Sequence, residues 1–458
     1  MQSKPLYIRL ALAVVAIVWL WTYLNIGEYK KKNLIIWDMK AYYSYLPAYF
    51  IHHDLTFQFV DSNMYKEHNY FWVKSENGAR VQKTSMGMAV LYSPFFFIGH
   101  VHAIITGDVT DGWSVPYQFW LGLSSIFYCL LGLWLSSRLL TRFFSSGAVA
   151  LAILAIGLST NLYYYTTMEG MLGHAYSLFL FTLMLELTIR FYQKPSWRTI
   201  TIMGLLAGLC VLVRPSNIII VIIPALWGVT TWQSLRQRFL FWWKNIPKLI
   251  LMGILAFAVY IPQLAYWKYV TGDWFFYSYG DEKFFFNNPH ILSTFISFRK
   301  GLFIYTPIML FAFIGFFFLK KKVQTGFLAI IIYTVVAIYM VSSWWCWWYG
   351  GSYSLRAYVE SFAFWIFPLA AFFDTCIAKL KKKSWLMFVF VFVFISHNSF
   401  QIYQYRSSLL HWDSMTFEAW KRIQGKQHFP FDRYKYLRMP DTEKAMKGEE
   451  ENGLPIKP

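Results

Sequence analysis

The stretch Trp37-Asp38-Met39-Lys40-Ala41-Tyr42-Tyr43-Ser44-Tyr45-Leu46-Pro47 sets one carboxylate a few residues beyond the first apolar run, with Tyr42, Tyr45 and Tyr49 following at helical spacing. A carboxylate held where a membrane meets water can take a proton from a hydroxyl while a lipid-borne partner lies beside it in the bilayer. Asp38 is therefore the candidate general base. The plainer alternative is a solvated loop aspartate just outside a membrane helix. A second acid, Glu169, sits in the short stretch Tyr163-Tyr-Tyr-Thr-Thr-Met-Glu169-Gly-Met-Leu-Gly-His174. Glu169 and His174 have the chemistry to hold an acceptor, to tune Asp38 or to help bind a divalent cation, and a satisfied interfacial histidine is the competing explanation. His52-His53-Asp54 has metal-ligating residue types without a diagnostic spacing, so no metal site is assigned.

Cations form the second group. Lys83, Arg214, Arg299, Lys300 and Arg356 are the basic candidates for an anionic ligand. Leu212-Val-Arg-Pro-Ser-Asn217 interrupts two apolar runs and places the Arg214 guanidinium at a membrane edge, where a cation is costly unless it meets an anion such as a lipid phosphate or snorkels to the interface. Arg299-Lys300-Gly301 opens an apolar run, and Arg356 follows Gly350-Gly351, which lets backbone approach a ligand closely. Among the aromatic residues, Tyr42, Tyr43, Trp348 and Tyr349 are candidate contacts to a sugar or acceptor. The 344–349 cluster also reads as an interfacial aromatic belt.

The elements that must position these groups are membrane helices. The 458 residues are 57% hydrophobic, 21% aromatic and only 14% charged, against about a quarter charged for a soluble domain. The four cysteines, Cys129, Cys210, Cys346 and Cys376, are scattered and give neither a disulfide framework nor a metal spacing. Apolar runs of spanning length fall near 7–26, 116–136, 147–166, 171–190, 199–213, 216–231, 247–267, 302–319, 325–343, 356–374 and 384–403. The first, with no small-residue cleavage site, reads as an uncleaved first span. A further run, 88–106, is interrupted by Pro94, Gly99, His100 and His102.

Charge decides how that run is treated. If 88–106 does not cross, eighteen basic residues and no acidic one fall on a single side, from Lys4 and Arg9 through Arg138, Arg190, Arg236, Arg238 and Lys320 to Lys383. The positive-inside rule makes that side cytoplasmic. The same rule explains the net charge of +19 without a nucleic-acid partner. The expectation is an all-α polytopic membrane protein with about eleven transmembrane helices and a large first outer loop, 27–115. That loop carries interfacial helices, a small hairpin turning at Asn77-Gly78 and a re-entrant segment at 88–106. Residues 1–403 form the membrane module, with further outer loops at 268–301 and 344–356. Residues 404–458 form an outer tail, packed near Trp412, Phe417 and Trp420 and disordered from about 441. The N-terminus is cytoplasmic, and 21 of the 23 carboxylates face outward in a plasma or inner membrane.

With these residues placed, the chain resembles the GT-C class of integral-membrane glycosyltransferases, and most of all the protein O-mannosyltransferases and the lipid A aminoarabinose transferases. The likeness covers about residues 7–375 as an order of features: first span, early acid in a long outer loop, interfacial helices, a lysine before a membrane-associated segment, and a second acid in the next outer loop. Where the relatives carry prolines after that lysine, this chain has Thr84-Ser85. The resemblance implies a polyprenyl-phosphate sugar as donor, a glycan, lipid or protein hydroxyl as acceptor, Asp38 as base and Lys83 on the lipid phosphate. No cofactor is certain, and a divalent cation is possible. A phosphate is a stable leaving group, so one base and neutralising cations suffice and the anomeric centre inverts.

Two other classes compete. A transporter or flippase for a lipid-linked sugar would place ionisable residues near mid-span and use paired broken helices. An O-antigen ligase or polysaccharide polymerase would depend on outer-loop arginines and a histidine instead of an acid after the first span. The sugar, the acceptor and the polyprenyl length lie beyond what the residues specify.

Overall fold

The computed structural model describes residues 5–62, 72–429, 432–450 and 453–456. From the N-terminus, α1 (Pro5–Ile26) is followed by two short helices, α2 (Trp37–Tyr43) and α3 (Tyr45–Phe50), and by strands β1 (Trp72–Lys74) and β2 (Arg80–Gln82). Next come α4 (Gly87–Thr106), α5 (Val115–Leu140), α6 (Ser146–Leu158), α7 (Leu162–Thr167), α8 (Gly173–Gln193), α9 (Trp197–Val213), α10 (Ile222–Leu226), α11 (Trp232–Lys244) and α12 (Ile246–Thr271). The rest comprises α13 (Ile291–Ile296), α14 (Leu302–Tyr305), α15 (Ile308–Lys322), α16 (Gln324–Ser343), α17 (Phe362–Leu380), α18 (Leu386–Arg406), α19 (Phe417–Ile423) and α20 (Thr442–Lys447). Two two-stranded antiparallel pairs, β1 with β2 and β3 (Arg438–Met439) with β4 (Leu454–Pro455), are the only named sheets among the described residues.

The protein is thus an all-α polytopic membrane protein. Among the described residues, eight helices are long and apolar enough to cross a bilayer: α1, α4, α5, α8, α12, α16, the segment Arg356–Lys383 that contains α17, and α18. Seven coincide with expected spans. The eighth, α4, is the run expected to be re-entrant, and it is one uninterrupted helix of 20 residues.

The residues that look like interruptions in α4 all have packing roles. Pro94 cannot donate to the Val90 carbonyl, and the Ser93 hydroxyl donates to that carbonyl instead at 2.8 Å. Gly99 admits the backbone of α5, where an added Cβ would stand 3.0 Å from the Tyr117 Cα. His100 Nδ1 meets the Tyr117 hydroxyl, and His102 Nδ1 accepts from the Trp120 indole at 3.2 Å. None of the four other expected spans is a single helix of spanning length. The run 147–166 becomes α6 and α7, 199–213 becomes the 17-residue α9, 216–231 becomes a 3-10 turn and α10, and 302–319 becomes α14 and α15.

The chain divides into two compact units, each described here by itself. One comprises Met1–Val18, Leu133–Tyr165 and Asp281–Pro458. In it Asn398 of α18 donates to the Leu158 and Thr160 carbonyls where α6 ends, at 2.8 and 3.0 Å, satisfying acceptors that the break would orphan. Asp374 accepts from the Ser145 backbone N–H at 3.0 Å and pairs with the Lys322 ammonium, tying the ends of α6, α15 and α17. The tail expected to be disordered from about 441 is instead a built element. Asp441 caps α20 by accepting from the Lys444 N–H, Ala445 packs with Cys346, Trp347 and Trp348, and the Gly448 carbonyl accepts from Asn288 at 3.0 Å. Its few apolar side chains suffice because the aromatic loop gives them a surface to cover.

The other unit comprises Trp19–Gly132 and Thr166–Gly280. Its tightest helix pair is α9 with α12. Gly204 and Gly208, four apart on one face of α9, would carry Cβ atoms 2.8 Å from the Met252 carbonyl oxygen and 2.9 Å from the Ala256 Cα, the small-residue packing that membrane helices use to approach. The β1–β2 hairpin turns at Asn77-Gly78, and the Asn77 amide donates to the Val270 and Thr271 carbonyls at the end of α12.

Candidate functional site

Of the residues singled out by chemistry, seven lie in the unit Trp19–Gly132 with Thr166–Gly280: Asp38, Tyr42, Tyr43, Lys83, Glu169, His174 and Arg214. The N-terminal half of α4 is their hub. Asp38 lies in the first turn of α2, exposed, and Trp37 before it holds φ +47, a left-handed conformation that bulky L-residues rarely adopt. Met39, Lys40, Tyr42 and Tyr43 of α2 are buried. The Tyr43 hydroxyl donates to the Gly112 carbonyl, and its ring meets Trp113 edge-on at 5.2 Å and Tyr92 of α4 at 6.4 Å. In α3, Tyr45 donates to the Thr84 carbonyl at 2.7 Å and packs edge-on against Tyr266 of α12 at 5.2 Å. The base candidate therefore rides on a helix pair anchored to the segment that carries Lys83.

Lys83 is half-buried, with its ammonium 5.4 Å from the centre of the Tyr279 ring. Its carbonyl accepts from the Ser278 hydroxyl at 2.6 Å, which holds the chain at this position. Two residues later Ser85 donates to the Leu212 carbonyl at 2.6 Å, and Gly87 lies directly against the Leu212–Val213 backbone, where a Cβ would collide. The start of α4 is thereby locked to the end of α9, one residue before Arg214.

Arg214 is half-buried and extended, and its Nη1 donates to His174 Nδ1 at 2.8 Å. A guanidinium has only donors, so Nδ1 is the acceptor and the imidazole carries its proton on Nε2. His174 is the second residue of α8. Just before it runs the turn that contains half-buried Glu169, and the Tyr92 hydroxyl donates to the Met171 carbonyl of that turn. Tyr92 thus touches both the Asp38 helix, through Tyr43, and the Glu169 turn.

Sequence reasoning missed several polar groups here. Lys40, two residues after Asp38, is buried, and that burial pulls its ammonium pKa below the ordinary lysine value. The side-chain donors Gln82 Nε2 and Thr84 Oγ1, on either side of Lys83, and Gln263 Nε2 and Trp267 Nε1 of α12 are buried without a hydrogen-bond partner among the described residues. Gln82 ends β2 and Thr84 lies in the bend after it, while Gln263 and Trp267, four apart, share one face of α12. Their signal in the sequence is faint, since a glutamine inside an apolar run marks a buried polar group without saying what it faces.

The remaining candidates, Arg299, Lys300, Trp348, Tyr349 and Arg356, lie in the other unit. Lys300 is 1% exposed, and its ammonium donates to the Ser352 and Trp412 carbonyls, joining the 350–354 loop to the tail. Arg299 lays its guanidinium over Trp348, 5.4 Å from the ring centre, and donates to the Arg438 carbonyl at 3.4 Å. Trp348, expected as a sugar contact, is 2% exposed, covered by Arg299 and packed edge-on with Trp345 and Trp347, so no ring face is open for stacking. Tyr349, half-buried at φ +56, donates to the Val341 carbonyl at 3.2 Å. Arg356 is half-buried at the head of a short 3-10 turn. Cys346 nearby is inert: burial pushes its thiol up to about 12 against the opposing pull of the Gly350 N–H and the Arg356 and Lys300 charges.

His52, His53 and Asp54 are organised as a turn. Asp54 accepts from the Thr56 and Phe59 N–H groups at 2.9 and 3.0 Å, while His52 stacks on Phe59 at 4.1 Å. Among the described residues no three His, Cys, Asp or Glu side chains gather as the ligands of a cation would. The chain matches no protein-family model and no curated protein.

Proposed function

We propose that the protein is an inverting glycosyltransferase that moves a sugar from a polyprenyl phosphate to a hydroxyl acceptor at the outer membrane surface. The observation that carries this reading is the convergence, around the first half of α4, of the Asp38 helix, Lys83 and the Arg214–His174 pair. In the proposed step Asp38 takes the acceptor hydroxyl proton. The oxygen forms a bond to the anomeric carbon, and the bond from that carbon to the phosphate oxygen breaks with its electron pair leaving on the phosphate. Lys83 and Arg214 meet the charge that develops there, and the buried donors of Gln82, Gln263 and Trp267 supply neutral hydrogen bonds beside them. Glu169 and His174 orient the acceptor, with a divalent cation as an alternative role for Glu169. Lys300, a phosphate candidate by sequence, is committed to its two carbonyls.

In this reading the first span enters from the cytoplasm, the chain crosses about eleven times, and α4 rests on the outer side. The sugar transfer itself is the test. Purified protein given a polyprenyl-phosphate sugar and a hydroxyl acceptor should release polyprenyl phosphate, and Asp38→Asn should release it about 10²–10⁴-fold more slowly while keeping its thermal unfolding midpoint. Full activity in that variant removes Asp38 as base and with it the mechanism.

A lipid-linked-sugar transporter is the second reading, and one observation favours it. The apolar stretch 197–226 breaks at Arg214 into α9, a 3-10 turn and α10, and 146–167 breaks at Ser159, Thr160 and Asn161 between α6 and α7. Discontinuous helices are where transporters bind substrate. Vesicle uptake of the lipid-linked sugar without hydrolysis or transfer, unchanged in Asp38→Asn, is the outcome that selects it.

A further inference from the structure

Helix α11 has two faces that the protein uses differently. Arg238, Phe241 and Trp242 turn inward. Arg238 donates to the Trp227 carbonyl and lies 3.3 Å from the centre of the Tyr192 ring, while Phe241 and Trp242 pack on Tyr192 and Phe191 at the end of α8. The opposite stripe, Trp232, Arg236, Phe239, Leu240 and Trp243, follows helical spacing along one side and is exposed, Trp232 at 85% and Phe239 at 67%. A capping box of Thr231 and Ser234 starts the helix firmly, so the stripe is a designed surface and not a frayed end.

Charge and position state what covers it. From Leu187 to Gly272 the sequence contains no acidic residue, and the exposed cations Lys194, Arg198, Arg236 and Lys244 lie in or beside the helix. Lys248 sits over Trp197 at 4.9 Å, which brings the start of α9 to the start of α12. α11 ends two residues before α12 begins, and α12 is an apolar helix of spanning length whose sides are mostly unburied. A helix joined that closely to a span lies at the level where acyl chains give way to headgroups.

We infer that α11 lies along the membrane surface and binds anionic phospholipid of the phosphatidylglycerol kind. Trp232, Phe239, Leu240 and Trp243 enter the acyl boundary, and Arg236, Lys244, Lys194 and Arg198 meet headgroup phosphates. This surface is separate from the transfer chemistry and stands whichever reaction the protein performs.

Amide exchange on the full chain tests it, in nanodiscs of phosphatidylcholine alone and of phosphatidylcholine with phosphatidylglycerol in equal parts. Residues 232–244 should exchange roughly tenfold more slowly in the anionic bilayer, as a few basic side chains at a charged surface permit. The difference should vanish in high salt and in Arg236→Gln with Lys244→Gln, while exchange in α9 stays unchanged and shows that the fold is intact. Equal exchange in the two bilayers overturns the proposal. So does a lipid difference that survives the double substitution, or protection that follows protein concentration instead of lipid, which would assign the stripe to a second copy of the chain.

Discussion

Asp38 occupies the first turn of a short helix, where a carboxylate also stabilises exposed N–H groups, so its chemistry and its local stabilising role must be separated by measurement. Asp38→Asn keeps the side chain's shape and removes the base. Transfer should fall by about 10²–10⁴-fold with the Michaelis constant for donor little changed. Arg214→Gln removes the guanidinium that faces His174, and the expected split is opposite in part: a higher Michaelis constant for donor together with a lower turnover. A proportionate loss in both variants with no donor dependence would return Arg214 to an anchoring role. In the tail, burial works to raise the Asp413 carboxyl, but the hydrogen bonds from His411 and Ser414 and the His411 and Lys300 charges outweigh it and hold the pKa below its ordinary value near 3.8. A carboxylate depressed in the folded state adds stability above its unfolded pKa, and that stability is lost as pH falls through the folded one. Limited proteolysis of residues 407–450 should therefore accelerate below about pH 4 in the wild type, and Asp413→Asn should flatten that dependence.

At the scale of elements, the α9–α12 contact and the continuity of α4 are the features most open to test. A side chain at Gly208 would press on Ala256, and Gly208→Leu should destabilise by about 1–3 kcal/mol or more, read as a lower unfolding midpoint in detergent. An exposed helix residue such as Ile202→Leu should leave it in place. Because α9 ends at Val213, loosening this pair should also displace Arg214, and donor affinity should fall with stability. The locking of Ser85 to Leu212 predicts the same coupling from the other side.

For the whole molecule, the arrangement turns on whether α4 crosses. Its length and composition permit it, while the distribution of basic residues argues against it. Single cysteines placed at Asp61 and Val109, on either side of α4, should both react with a membrane-impermeant thiol reagent from the outside. One at Lys382 should react only after permeabilisation. Modification of position 61 without position 109 would show that α4 spans, which reverses the side of every later loop.

The sequence by itself determined the membrane character, because low charge and long apolar runs leave the chain no other solvent. Seven of the eight span-length helices among the described residues were visible for that reason, as was the Asn77-Gly78 turn, whose residue types carry their geometry locally. Tertiary structure decided the rest. Pro94, His100 and His102 read as breaks until Ser93 and α5 supply their hydrogen bonds, and a tail of lysines, glutamates and glycines reads as disordered until the aromatic loop gives Ala445 and Gly448 a surface. Likewise only packing gathers Lys83, Arg214 and His174 about α4, buries Trp348 under Arg299 and sinks Lys300 among carbonyls. Hydropathy is a sum over neighbours in the chain, whereas a polar group is satisfied by neighbours in space.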